Sequence, residues 1–300
     1  MPEPKLCPAP KPAASAGLVR RDISIELAPA QVAAFRPTAS AFPFGSRVFL
    51  THLEGKPIAL QVGAAKQLLE AGFIPVPHIG ARHFATERDF RDLVLAHSRN
   101  GVREALFVGG NPLQARGPLE NAAALLSHPV LADSTIRTAF IGGYPEGHPA
   151  IPANALTAAL AQKIAICGER GLQPRLVSQF AFDGGAIGLW TAEIQRNYPD
   201  LAIHIGLAGV TSLAKLIKFG MLCGVGPSLA MLRRSAAGLF NILADKNPGD
   251  IIDAIEAHRP LGSFHLHFYP FGGWEKTLAW VAEHQLSTDV HPTHHIGESR

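Results

Sequence analysis

Hydrophobicity along the chain comes in short, β-rich apolar blocks, each followed by a longer stretch with apolar positions at helical spacing. Eight blocks read as strands, at 22–27, 47–53, 74–78, 104–108, 138–142, 175–180, 202–206 and 263–268. Helical patterns lie between most of them, at 57–71, 86–100, 153–171, 184–197, 212–223 and 248–258, and a last one follows at 273–285. Strict β-then-α alternation predicts a parallel sheet. Eight units within about 260 residues fit a single closed (β/α)8 TIM barrel. A doubly wound open sheet is the runner-up, but no G-x-G-x-x-G follows the first strand. The Gly-rich Gly224-Val225-Gly226-Pro227 follows a helix and reads as a loop.

Composition narrows the class. With 300 residues, 47% hydrophobic and 17% charged, the chain suits one large α/β domain or two small ones. The barrel is expected over 19–287, between a Pro/Ala-rich disordered tail at 1–18 and a polar tail at 288–300. A net charge of +3 with scattered basic residues offers no nucleic-acid stripe. Cys7, Cys167 and Cys223 are too widely spaced for a disulfide framework or zinc ribbon, which points to a reducing, cytoplasmic compartment. No run of 18 apolar residues predicts a membrane span, and prolines interrupt any signal-peptide core.

A barrel carries its chemistry where strands end and loops begin. Polar residues gather at those points: Glu26, Thr51-His52, His78, Asn111, Tyr144 with Glu146 and His148, Gln179 with Asp183, and His267 with Tyr269. Glu26 stands among apolar neighbours, where desolvation raises a carboxyl pKa and suits it to general-acid work near neutrality. Gln179 offers a donor and an acceptor to an amide-like ligand edge. Alternation puts His265 and His267 on one face of the last strand, yet no companion ligands complete a metal site, so none is assigned.

Several segments resemble one family. Gly142-Gly143-Tyr144-Pro145-Glu146-Gly147-His148-Pro149 is similar to the signature of methylenetetrahydrofolate reductases. Ser24-Ile25-Glu26-Leu27-Ala28-Pro29 resembles the family's F-E-F-F-P-P, Pro77-His78 its Pro-His segment, and Ser178 to Asp183 its T-Q-F-F-F-D. Phe264 to Tyr269 resembles its last-strand H-F-Y. Residues 203–211 resemble strand seven with P-G-I-L-P, with the proline replaced. The resemblance runs over about 22–285 in order. It implies interconversion of 5,10-methylene- and 5-methyltetrahydrofolate with NADH or NADPH. It makes Glu26 the acid and sets Gln179, Asn111, Phe182, His267 and Tyr269 against the substrate. Thr51, His52, His78, Gly110, Tyr144, His148 and Lys163 would then face the cofactor.

The departures fall on flavin contacts. Where the family carries R-G-D after strand four, this chain has Gly109-Gly110-Asn111, so one fixed cation and one fixed anion are replaced. A basic position of the fifth helix reads Gln162, although Lys163 remains. Each charge-assisted hydrogen bond lost to a flavin diphosphate would cost about 1.5–3 kcal/mol. These changes favour direct hydride transfer from NAD(P)H to the folate without FAD. The relay through bound FAD stays open, as do a non-catalytic folate-binding relative and a folate-dependent methyltransferase. A homo-oligomer is open too.

Overall fold

The computed structural model describes residues 22–52, 55–110, 114–222, 245–246, 248–258, 262–271, 273–284 and 286. The expected tails, Asn111, Cys7, Cys223 and the 224–227 loop lie outside the described residues.

Eight parallel strands close into the expected barrel. In order around it they are β1 (Ile23–Leu27), β2 (Arg47–Leu50), β3 (Ile74–Gly80), β4 (Glu104–Val108), β5 (Thr138–Gly143), β6 (Gln173–Ser178), β7 (Ala202–Ala208) and β10 (His265–Tyr269), which pairs back onto β1. Outside lie α1 (Ile58–Glu70), α2 (Glu87–Arg99), α3 (Ala122–Ser127), α4 (Ala153–Glu169), α5 (Gly184–Asn197), α6 (Leu213–Leu222), α7 (Gly249–Ala257) and α8 (Trp274–Glu283). A short antiparallel pair, β8 (Thr211–Ser212) with β9 (Asp245–Lys246), stands apart from the barrel. None of the described helices is long and apolar enough to cross a membrane.

Local chemistry sets the helix starts. Thr86 caps α2 by accepting from Asp89 N–H, and the Asp89 carboxylate accepts from Thr86 N–H in return. Asp183 caps α5 through Ala186 N–H at 3.0 Å. The strands read as nearly unbroken apolar runs because both of their faces are buried. Their outer residues join the helices in one large hydrophobic cluster. Their inner residues form a second, with Phe49, Val76, Leu106, Phe140 and Val177 filling the middle of the barrel. Phe49 meets Phe140 edge-on at 4.9 Å between centroids, and each such fully buried ring contributes roughly 1.5–3 kcal/mol by leaving water.

Two differences from the expected elements have simple causes. β6 begins at Gln173 because Pro174 sits near its start, where its missing N–H is tolerated. The expected strand at 175–180 therefore starts late and runs two residues too far. α3 spans only six residues, too short to display helical periodicity, and is announced only by its Asn121 cap.

Candidate active site

Glu26 is the fourth residue of β1 and faces the barrel mouth, two residues above Ser24, whose hydroxyl meets His267 inside the barrel at 3.0 Å. Two strands along the rim, on the far side of β2, His78 Nε2 of β3 lies 3.4 Å from Glu26 Oε2, with side chains 15% and 21% exposed. Burial pushes the Glu26 carboxyl up to about 8. Burial, helped by the nearby His52, pulls His78 down to about 3. At neutral pH this is a neutral acid facing a neutral imidazole, because neither partner brings a charge that would stabilise ionisation of the other.

The rim beneath this pair is fixed from the helix layer. The buried Gln61 of α1 donates from Nε2 to the carbonyls of Leu50, Thr51 and His78, at 3.1, 3.2 and 3.0 Å. Its oxygen meets His97 Nε2 of α2 at 3.2 Å. His52 Nδ1 accepts from Gly80 N–H at 3.2 Å, which puts the proton of the neutral ring on Nε2. Burial and the neighbouring His83 pull His52 down to about 4. A cavity of about 410 Å³ opens beside Thr51 and His52, between the 3-10 turn Pro29–Ala34 and α1, with Lys56 on its lining. Glu26, Gln179 and Tyr144 are not on that lining.

One side of the mouth is aromatic. Tyr269 donates its hydroxyl to Ser178 O at 3.0 Å. Its ring lies on Gly206, where an added Cβ would stand 2.8 Å from ring Cε2. Phe180 packs on Tyr269 at 5.5 Å and on Phe182 at 5.8 Å. Phe271, held at φ 48, stacks on Phe219 of α6 at 4.3 Å. A non-glycine residue in the left-handed region is uncommon and stores strain, which clusters at working sites. Gln179 accepts from Phe180 N–H through its side-chain oxygen at 3.1 Å, so its carboxamide plane is set by the loop. Glu146 accepts from Phe182 N–H and Asp183 N–H at 3.4 and 3.2 Å. The octapeptide and the Gln179–Asp183 turn are thus fastened to each other.

The other side carries cations and imidazoles. Lys163 Nζ donates to Gly142 O at 3.3 Å, and burial pulls it down to about 8. Tyr144 and His148 meet edge-on at 5.3 Å. Burial pushes the Tyr144 hydroxyl up, while the positive charge of Arg82 opposes the shift. Gly110 adopts φ +93, and a Cβ there would come within 2.8 Å of the His83 ring. Only glycine meets both demands.

Glu26, His78, Gln179, Tyr144, His148, Phe182 and Tyr269 all stand near strand ends or on the loops just beyond them, as expected, while Lys163 reaches the end of β5 from within α4. His267 differs: it is fully buried, beside Phe49 at 4.4 Å and hydrogen-bonded to Ser24, so it stands a layer below the open mouth. His265, also facing inward, stacks on His204 at 4.6 Å and meets Asp22 at 3.4 Å. Among the described residues no three His, Cys, Asp or Glu side chains are grouped to hold a metal. Sequence reasoning passed over Arg82, His83, Phe219 and Phe271. The signal for the first two was β3 itself, which continues to Gly80 and carries the rim up to Ala81-Arg82-His83.

No family model matches the chain. Among solved structures it is similar to a crystal structure described as that of a spore coat polysaccharide biosynthesis protein E from Chromobacterium violaceum. The two are 14% identical over 81% of this chain and 76% of that one, with a TM-score of 0.44. A likeness that distant carries no argument about the site.

Proposed function

We propose that the chain is a methylenetetrahydrofolate reductase that interconverts 5,10-methylene- and 5-methyltetrahydrofolate, with NAD(P)H and the folate meeting in the barrel mouth. The observation that carries this reading is Glu26, a carboxyl kept protonated up to about pH 8 where β1 opens into the mouth. Opening the imidazolidine ring needs a proton on the bridging nitrogen, and a carboxylic acid with that pKa can give one at neutral pH. Glu26 donates the proton, the carbon–nitrogen bond breaks, and an iminium remains on the other nitrogen. NAD(P)H, when bound, supplies the hydride that turns the iminium carbon into methyl. Glu26 leaves the step as a carboxylate and must regain a proton before the next turnover. Gln179 orients the pterin edge, and the half-buried Tyr269 and Phe182, backed by the buried Phe180, offer flat surfaces for its rings. Asn111 is placed near the pterin or nicotinamide by the resemblance alone. A cytoplasmic location goes with this chemistry.

A relay by bound FAD is the second reading. Arg82 favours it, because its guanidinium lies over Gly109, where the resemblance had suggested that a cation was missing.

The experiment is anaerobic turnover of 5,10-methylenetetrahydrofolate with NADH or NADPH, with and without FAD, alongside the absorption spectrum near 450 nm. A colourless protein with full, sequential turnover supports direct transfer; a yellow protein that needs flavin supports the relay. Glu26→Gln should lower turnover by about 10²–10⁴-fold while folate binding persists. Near-normal turnover in that variant removes Glu26 as the acid. Folate binding without turnover under any condition would make this a binding protein.

A further inference from the structure

We infer that the cavity between α1 and the 3-10 turn Pro29–Ala34 is a second binding site, for an amphipathic anion with an unbranched apolar body: a medium-chain carboxylate or phosphate ester. Of the residues set against substrate or cofactor above, only Thr51 and His52 line it, and the inference stands whether or not the chain is a reductase. Its volume of about 410 Å³ lies within the range of small-ligand pockets. One wall is a stripe of α1, with Leu60, Gly63, Ala64 and Gln67 at helical spacing, and the other carries Ala30 and Ala33. Small side chains keep the space open, since a Cβ added to Gly63 would meet nothing within 4 Å. From Ile58 to Gln67 the helix rises about 13 Å, so the lining favours an extended occupant.

Charge settles the head of the ligand. Lys56 is on the lining, and none of the described lining residues is acidic. α1 opens at Ile58 with no side-chain cap and no acid in its first turn, so the N–H groups that start the helix keep their capacity for an anion. His52, whose Nδ1 is taken by Gly80 N–H, has an Nε2–H to give. The Thr51 hydroxyl is buried without a hydrogen-bond partner. Gln61, by contrast, is spent on three carbonyls and His97. The rim settles the body. Ile58 and Leu60 both line the cavity and are 41% and 55% exposed, two of the five large hydrophobic side chains left so exposed among the described residues. Two such side chains on one rim form a patch, which marks a place where apolar surface binds. A head against Lys56 and the start of α1, with a tail along Gly63 and Ala64, satisfies both ends at once.

The test is calorimetric titration of the full chain with decanoate, decyl phosphate and decanol, repeated in the presence of 5-methyltetrahydrofolate or NADH. At least one of the anions is expected to bind saturably, with decanol about 10-fold weaker. Whichever anion binds tighter identifies the head group, and either supports the site. Gly63→Leu fills the cavity with a residue that a helix accepts better than glycine, and should weaken the anions by about 10-fold or more while the thermal midpoint holds. Ala30→Leu fills it from the opposite wall and repeats the test should Gly63→Leu fail to fold. Lys56→Gln should weaken the anions by about threefold, less at high salt because Lys56 is exposed, and leave decanol unchanged. The inference is overturned if neither anion binds saturably, if a folded cavity-filling variant binds them as wild type does, or if decanol binds as tightly as they do. Competitive displacement by 5-methyltetrahydrofolate or NADH would also overturn it, by making the cavity part of the mouth.

Discussion

The two ends of the barrel bury ionisable groups in opposite ways. At the N-terminal end, Arg47 of β2 grips Glu104 of β4 with two hydrogen bonds, at 2.7 and 3.1 Å. Asp22 meets His265 nearby. At the C-terminal end, Glu26 faces a neutral imidazole, and burial lifts its carboxyl to about 8. Removing charge from water is tolerable where an opposite charge compensates, and otherwise the group gives up its charge. The same side-chain type therefore closes one end as a brace and leaves the other end holding a transferable proton. Stability and chemistry are divided along the axis, as in other barrels of this architecture.

The strongest way to break this contrast is to remove one partner of the brace. Glu104→Ala leaves the Arg47 guanidinium largely buried without its carboxylate, and should cost about 3–5 kcal/mol in urea-induced unfolding. A loss below about 1 kcal/mol would mean that water already solvates that end.

At the open end the expectation reverses. The pKa of Glu26 is higher folded than unfolded, so its stabilising influence is complete below about pH 4.5 and is lost as pH rises through about 8. Glu26→Gln cannot ionise, and its stability relative to wild type should grow over that window. The gain amounts to roughly 1.4 kcal/mol per unit by which the folded pKa is raised. Parallel pH–stability curves for the two proteins would show that Glu26 is solvated. The smallest effect should come from Ser24→Ala, which strips His267 of its hydroxyl partner below the mouth and should cost about 1 kcal/mol in thermal unfolding. No change would place water against that imidazole.

Much of the fold was legible because the barrel depends on periodicity, and periodicity is local. The strand starts at Arg47, Ile74, Glu104, Thr138 and Ala202 fall where the apolar blocks begin. The β8–β9 pair was not legible, since two residues carry no pattern. At the site, Glu26 could be read because an acid in an apolar run is conspicuous. The role of Glu146 could not: a carboxylate in a Gly/Pro turn looks like chemistry, yet here it accepts two backbone N–H groups from the next loop. Arg82 was missed for the complementary reason. The substituted triplet at Gly109 drew attention to what strand four lacks, while Arg82 lies over Gly109 from the turn after β3 through a contact that no linear motif encodes.

The Gln61 clamp also limits how this barrel can diversify. One amide of α1 measures the ends of two neighbouring strands against each other, at Leu50, Thr51 and His78. Adding a residue to either strand end would break that measurement and displace His78 from Glu26. Loop grafts and insertions aimed at new substrates should therefore be tolerated least between β2 and β3.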